Sequence, residues 1–356
     1  MIKKFSVTVG VLAVIASAAL TSFAQDWEKA VSLFNQKQYR PAIREFHAVL
    51  NTNPDYWQAW YYIGAGHYHL QGYENSIDAF QKYIKSAEKD EKGQVTGHYF
   101  IGFSHYQLKQ YDKAIPELKD YIALSEKLQL TVDITARAAL GRSYIFTERF
   151  NEAIPPLTAA AAEMKTDTNN HYYIGFAHHK LGRDDQAIPA LNRALAINPK
   201  DADTLSLLGG IYLARWKDAA MLKQAISTGE RLLAVENNER AWSLLGQAYL
   251  LDRQYAKAAP LLDKFARAHM DSGSAWYNLG LAYSRSSQWT PAAEALEQAV
   301  KIAPNNTAAL LELAYVYESD KQPAKALVAY EKAYEASGRR DETARASIER
   351  LKQSKP

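Results

Sequence analysis

The chain has 356 residues, 42 Lys and Arg against 39 Asp and Glu, 47% hydrophobic residues and no cysteine. A formal charge of +3 gives no general pull on nucleic acid or anionic lipid. The lack of cysteine excludes disulfides, a thiolate nucleophile and a zinc–thiolate site.

Met1–Ala24 differs from everything that follows. Lys3 and Lys4 precede an uncharged run from Phe5 to Leu20, and Ser22-Phe23-Ala24 puts small residues third and first before a cut. This is the pattern of a secretory signal peptide, so the mature chain is expected to be periplasmic or secreted. The run is short for a stable span and ends at a processing site, which disfavours a retained anchor. No stable membrane insertion is expected after cleavage. Loss of Lys3 and Lys4 takes Lys and Arg from 42 to 40 against 39 acidic residues, near neutrality.

Beyond the leader, apolar residues recur at helical spacing in pairs of short segments. The first pair has Trp27, Ala30, Val31 and Phe34 on one side, with Asp26 as expected N-cap, then Ala42, Phe46 and Leu50 before Pro54. The second carries Trp60, Ile63 and Gly64, then Tyr73, Ser76 and Phe80; the third carries Ile101 and Gly102, then Tyr111, Ala114 and Leu118. Lys85–Gln94 and Leu124–Asp133 are each some residues too long, and read as extended turns or extra helical turns. Leu140, Gly141 and Tyr144 with Ala153 and Leu157, then Ile174 and Gly175 with Ala187 and Leu191, return to the short period. The sixth pair has Leu208, Gly209 and Tyr212, but its second segment is marked by Ala225, which implies an insertion near Arg215–Ala220. Trp242, Gly246, Tyr249, Ala258 and Leu262 restore the pattern.

Ala275–Asn306 shows the unit most plainly. Trp276, Leu279, Gly280 and Tyr283 share one helical face, Ala292, Leu296, Ala299 and Val300 share another, and Pro304 with Asn305 ends the second helix. A last unit has Leu313, Ala314, Tyr317, Ala326 and Tyr330, and Asp341–Lys352 reads as a solvating cap helix. The small residue of each first helix falls at Ala30, Gly64, Gly102, Gly141, Gly175, Gly209, Gly246, Gly280 and Ala314. The intervals are 34, 38, 39, 34, 34, 37, 34 and 34.

An aromatic, a Leu-Gly pair, a Tyr, an Ala, a bulky apolar residue and a closing Pro over 34 residues resembles the tetratricopeptide repeat. The resemblance implies an all-α fold: a right-handed α-solenoid superhelix of about nine helix-turn-helix repeats, helix A then helix B, plus a C-terminal capping helix. The expected organisation is a signal peptide at 1–24, a repeat array at 25–340, and a capping helix and tail at 341–356. Its units are 25–56, 57–94, 95–133, 134–167, 168–201, 202–238, 239–272, 273–306 and 307–340. Pro116, Pro155, Pro189 and Pro260 share one phase of helix B and read as tolerated near a helix start.

In this family one side of helix A lines a concave surface that takes peptides or partner helices. Transferred by phase, the partner-binding positions of the leading five units are Trp27, Phe34, Tyr61, Tyr68, Tyr99, Phe103, Tyr106, Tyr172 and Phe176, with Ile145 and Phe146 between them. The later units hold Ser206, Leu213, Ser243, Gln247, Leu250, Tyr277, Ser284, Arg285, Leu311 and Tyr315 there, so the front half is richer in aromatics. Aromatic side chains supply large rigid contact area at little entropic cost. The alternative is that these rings pack on neighbouring units.

Histidine stands where the family usually has Tyr, at His67, His105 and His178, and His98 and His171 lie two helical turns before the latter two. These are read as packing residues; without Asp, Glu or Cys at ligand spacing no metal site is expected. No Gly-rich phosphate loop, HExxH or GxSxG occurs, so no catalytic residue, enzyme activity or cofactor is expected. The functional expectation is an exported, non-enzymatic scaffold for a protein or peptide partner in the cell envelope. An accessory component of an envelope assembly or export system, handling polysaccharide, pilus or outer-membrane components, is the alternative. Carbohydrate stacked on the rings is a third, weaker ligand class, and nucleic acid is not expected.

Overall fold

The computed structural model describes residues 26–88 and 90–353, so the expected leader Met1–Ala24 lies outside the described residues. Within them the chain forms nineteen helices and no strand. It divides after Ala187 into two compact units. The first holds α1 (26–35), α2 (Tyr39–Thr52), α3 (Gln58–His69), α4 (Tyr73–Ser86), α5 (Glu91–Gln107), α6 (Tyr111–Lys127), α7 (Ile134–Phe146), α8 (Phe150–Glu163) and α9 (Thr168–Lys180). Then come α10 (Asp184–Ile197), α11 (Ala202–Ala214), α12 (Ala219–Val235), α13 (Glu239–Leu251), α14 (Tyr255–Ala268), α15 (Gly273–Arg285), α16 (Trp289–Ile302), α17 (Thr307–Ser319), α18 (Pro323–Ala336) and α19 (Glu342–Gln353). Odd numbers up to α17 are the A helices and even numbers the B helices. Asp26, expected to cap α1, already belongs to it.

Helices adjacent in sequence pack on one another from α2 to α9 in the first unit and from α11 to α19 in the second. The small residues of helix A sit where the two helices of a hairpin cross. A Cβ on Gly280 would fall 2.5 Å from Leu296 Cγ and 3.3 Å from the Ala292 carbonyl oxygen. At Gly141 the same atom would lie 2.5 Å from Leu157 Cγ. Only a missing side chain lets these backbones approach so far, and the Leu above fills the gap.

Most of the A–B turns share one chemistry. Gln71, Lys109, Glu148, Arg253, Ser287 and Lys321 all have φ near +60°, and the residue after each donates its N–H back to the helix, as Gln288 does to the Tyr283 carbonyl at 2.9 Å. This is a Schellman cap, which satisfies carbonyls the helix end would orphan. The left-handed conformation costs a non-glycine residue about 1–2 kcal/mol, so the closed turn must offset it.

Surplus residues lengthen helices. The Lys85–Gln94 surplus adds a turn to the start of α5, which has 17 residues, is capped by Asp90, and runs across the break expected after residue 94. The Leu124–Asp133 surplus extends α6 to 17 residues and leaves Asp133 as N-cap of α7. In the sixth repeat α12 also has 17 residues, and Ala225 is fully buried as expected. There the crossing changes partners: Gly209 faces Leu244 of α13 at 2.5 Å, and Gly229 occupies the position where other repeats carry a Leu over the small residue. Side chains of the next helix A thus fill what helix B leaves empty. The four prolines are exposed and stand sixth in their helices, in the second turn and not the first; Pro156 adjoins Pro155.

At the C-terminus Ala344 and Leu351 of α19 are buried in the same core as Leu313 and Tyr330. Arg350 donates twice to Glu318, at 2.6 and 2.8 Å, and holds that carboxyl below the usual carboxylate range. The strip that α17 and α18 would otherwise expose is covered.

Helix A tyrosines of the second unit also tie the stack together: Tyr249 donates to Glu230 at 2.6 Å and Tyr317 to Glu297. Burial first, and then the hydrogen bond to Glu230, push Tyr249 up to about 12. The folded chain therefore keeps a proton that an unfolded tyrosine loses near pH 10. The stability this group contributes is complete below about pH 10 and is lost as pH rises towards about 12. Urea denaturation midpoints should fall between about pH 9 and about pH 11.5, and fall less steeply in Tyr249→Phe. Equal slopes would assign the alkaline loss to other groups.

Candidate functional site

Helix A is the crowded side of each unit. In the first, α3 touches α5, α5 touches α7 and α7 touches α9; in the second, α11, α13, α15 and α17 touch in the same succession. Side chains at that face therefore meet across repeats, and in the first unit they are mostly rings.

Trp27 packs edge-on against Phe46, Tyr56 and Tyr62 at 5.2, 4.8 and 5.5 Å, and Phe34 against Tyr39 and Tyr62. Tyr61 meets Tyr62 at 5.0 Å, and Tyr68 meets Tyr73 and Phe100 at 5.5 and 5.2 Å. Tyr99 lies 4.7 Å from Phe103 and donates its hydroxyl to Asp133 at 2.9 Å. Tyr106 meets Tyr111 at 5.8 Å, while Tyr172 contacts Tyr173 and Phe176. Edge-to-face pairs at these distances stabilise by about 0.5–1.5 kcal/mol beyond burial alone.

The nine expected residues thus fall into two aromatic clusters, Trp27, Phe34, Tyr61, Tyr68, Tyr99 and Phe103 in one and Tyr106, Tyr172 and Phe176 in the other, and none is freely exposed. Phe103 is buried, with 8% of its surface accessible, and belongs to the core; the other eight are half-buried. Burial pushes the phenols of Tyr61, Tyr68 and Tyr99 upward, so they stay neutral hydroxyls. Ile145 is also buried. Phe146 is different: 47% of its surface is accessible, it stacks on Tyr111 at 4.5 Å, and Tyr173 stands edge-on at 5.9 Å.

Phase transfer along helix A missed three contributors. Phe100 stacks on Phe80 at 4.5 Å and links Tyr61, Tyr68 and Tyr99. Tyr111 enters from helix B, outside the register used for the search. Arg142 carries charge to the wall, donating to Asp167 at 2.7 Å and Asn170 at 3.1 Å with its guanidinium 5.8 Å from the Tyr173 ring. Its position, one residue after Gly141, was the available signal.

The histidines hold local structure. His98 pairs with Glu117 at 2.7 Å and His105 with the Gln110 side chain at 2.8 Å. Burial, and then nearby His47 and Arg183 respectively, hold His67 and His178 below the usual imidazole value. No three His, Asp or Glu side chains converge as metal ligands among the described residues. In the second unit the corresponding face carries a paired polar group, in which Arg285 donates to Glu312 at 2.6 and 3.0 Å and Ser284 donates to the same carboxylate, beside Tyr315, which is 46% exposed and edge-on to Trp289.

A family model described as tetratricopeptide repeat matches residues 28–93, 243–286 and 277–342, and a second model of that description matches 169–201. No curated protein matches the chain. Among solved structures, the C-terminal part of a TPR repeat-containing protein from Cytophaga hutchinsonii is 16% identical, with a TM-score of 0.52 over 69% of this chain and 98% of that one. That likeness concerns the fold. MamA is 25% identical over 49% of this chain and 94% of that one, with a TM-score of 0.44. YrrB, a TPR protein with an unusual peptide-binding site, is 18% identical over 55% and 97%, with a TM-score of 0.49.

Proposed function

We propose, on the premise that this chain belongs to the tetratricopeptide-repeat family, that it is an exported, non-catalytic scaffold holding a protein or peptide partner against the aromatic wall of α3, α5, α7 and α9. The observation that carries this reading is Phe146, a large ring left half in water between two further rings. An exposed aromatic anchor framed by rigid neighbours is the arrangement in which a few residues supply most of a binding energy. The buried rings around it hold the wall in shape, so capture draws on a preformed surface.

Export is supported by Lys3, Lys4, the run to Leu20 and the small residues Ser22 and Ala24. Among the described residues no helix is long and apolar enough to cross a membrane. On this reading the mature protein works in the periplasm or outside the cell, with a partner in the envelope. Protein recovered from the periplasm or medium should begin at Gln25; an intact Met1 there would reject cleavage.

The wall is tested with Phe146→Ala. Pull-down from envelope extract followed by mass spectrometry should show the main partner lost, an affinity decrease of about 1–2 kcal/mol, with the melting curve retained. Equal recovery by a folded variant would remove this wall as the docking face. Competition by soluble glycans, in place of a protein, would move the reading to carbohydrate.

A further inference from the structure

The helix B side of the second unit carries three successive hollows. The one between α12, α13 and α14 measures about 590 Å³ and is lined by Leu233, Leu261, Tyr249 and a single lysine, Lys257. The next, between α14, α15 and α16, is smaller, about 350 Å³, and polar: Asp263 and Arg267 pair along α14 at 2.9 Å and Glu294 adds a second carboxylate. The third, between α16, α17 and α18, measures about 560 Å³.

That third hollow has an unusual composition. Its floor is Leu310 and Leu313 with Val300 and Ala329, and Val328 at the rim is 51% exposed. Around this apolar floor stand Lys301, Lys325 and Lys332, all exposed. None of the three pairs with a carboxylate among the described residues, although Lys325 lies 5.2 Å from the Tyr317 ring. The one carboxylate in the lining, Glu297, already accepts from the Tyr317 hydroxyl. Apolar burial is thus available at the centre and unneutralised positive charge at the edge.

We infer that this hollow is a second docking site, and that its occupant is an acidic peptide segment of a partner protein that seats a large apolar side chain between flanking carboxylates. Removal of the apolar side chain from water drives the contact. The lysines select its sign by pairing with carboxylates at the rim, a term that salt screens. The middle hollow shows the contrary design, with its own carboxylates repelling such a segment. This site stands apart from the aromatic wall of the first unit and does not depend on it.

The probe is a fluorescein-labelled peptide, Glu-Glu-Leu-Phe-Glu-Glu, titrated with the full chain by fluorescence anisotropy. A control peptide carries Lys in place of every Glu. The acidic peptide should bind at least about ten-fold more tightly than the control, and more weakly as salt rises. Val328→Glu and Lys332→Glu, both at exposed positions, should each weaken it at least about ten-fold with an unchanged melting curve. Val328→Glu should leave partner capture by the aromatic wall unaltered. Equal binding of the two peptides, or undiminished binding by both variants, would overturn the proposal. Displacement of the peptide by anionic phosphatidylglycerol vesicles but not by unlabelled peptide would overturn it in favour of a lipid surface.

Discussion

Phe80→Ala should destabilise the first unit by about 3–5 kcal/mol, the upper range for an aromatic lost from a core. Phe80 is fully buried, stacks on Phe100 at 4.5 Å with nearly parallel planes, and meets Tyr61 and Tyr83 edge-on at 6.1 Å each. On its other side is Gly64, whose Cβ would lie 2.6 Å from the ring. Truncation leaves a void bordered by rigid rings and a residue with no side chain to move in. The surroundings collapse poorly, and the cavity persists.

The same geometry predicts a change of sign at Gly64. Alone, Gly64→Ala overpacks the crossing and should cost about 1–3 kcal/mol, more than the helix propensity gained, about 1 kcal/mol. In the Phe80→Ala background the added methyl enters the void, and the substitution should recover about 1–2 kcal/mol. Urea denaturation followed by circular dichroism, with hydrogen exchange in α3 to α5, reads both effects. A Gly64→Ala loss of equal size in the two backgrounds would show that this pair does not set the crossing. Because Phe100 leans on Phe80 and holds Tyr61, Tyr68 and Tyr99, the aromatic wall should loosen with it.

Asp133→Ala should cost about 2–3 kcal/mol, because one carboxylate serves two elements, α7 and α5. One oxygen caps α7 by accepting from the Thr135 N–H and hydroxyl, both at 2.8 Å. The other accepts from the α5 residue Tyr99 at 2.9 Å, and the Asp133 N–H donates to Tyr121 of α6 at 2.9 Å. The cap accounts for about 1 kcal/mol and an unpartnered half-buried phenol for about 1–2. Asp133→Asn keeps one acceptor, enough for the α7 cap, and presents an NH2 donor to the Tyr99 oxygen in place of the second acceptor, so it should lose less than half as much. Tyr99→Phe and Asp133→Ala should combine to less than the sum of their separate losses. Strict additivity in that cycle would show that Tyr99 and Asp133 do not act together.

The candidate site was partly legible. Phase transfer found the rings of α3, α5 and α9 because residues at one phase of helix A must share a face. It could not tell a ring packed on its neighbour from one left in water: Phe103 and Phe146 occupy this face equally by phase, and only the contacts of α5 and α7 separate them. Tyr111 and Phe100 were missed because their part in the wall depends on the angle at which hairpins stack. The lysine-rimmed hollow was hidden for the same reason. Lys301, Lys325 and Lys332 look like ordinary solvated lysines until α16 and α18 are set on either side of α17.

By itself the sequence determined the hairpins, their order and their crossing points, because the 34-residue period, the small residue of helix A and the bulky residue of helix B are local, repeated signals. It also located the surplus residues near 85–94, 124–133 and 215–220. What those residues became was decided by packing between repeats: one lengthened α5, one lengthened α6 and made room for the Asp133 junction, and one lengthened α12 and handed the Gly209 crossing to Leu244. A helix end can move by a turn at small local cost, so its final place is set by the neighbour whose apolar surface it buries.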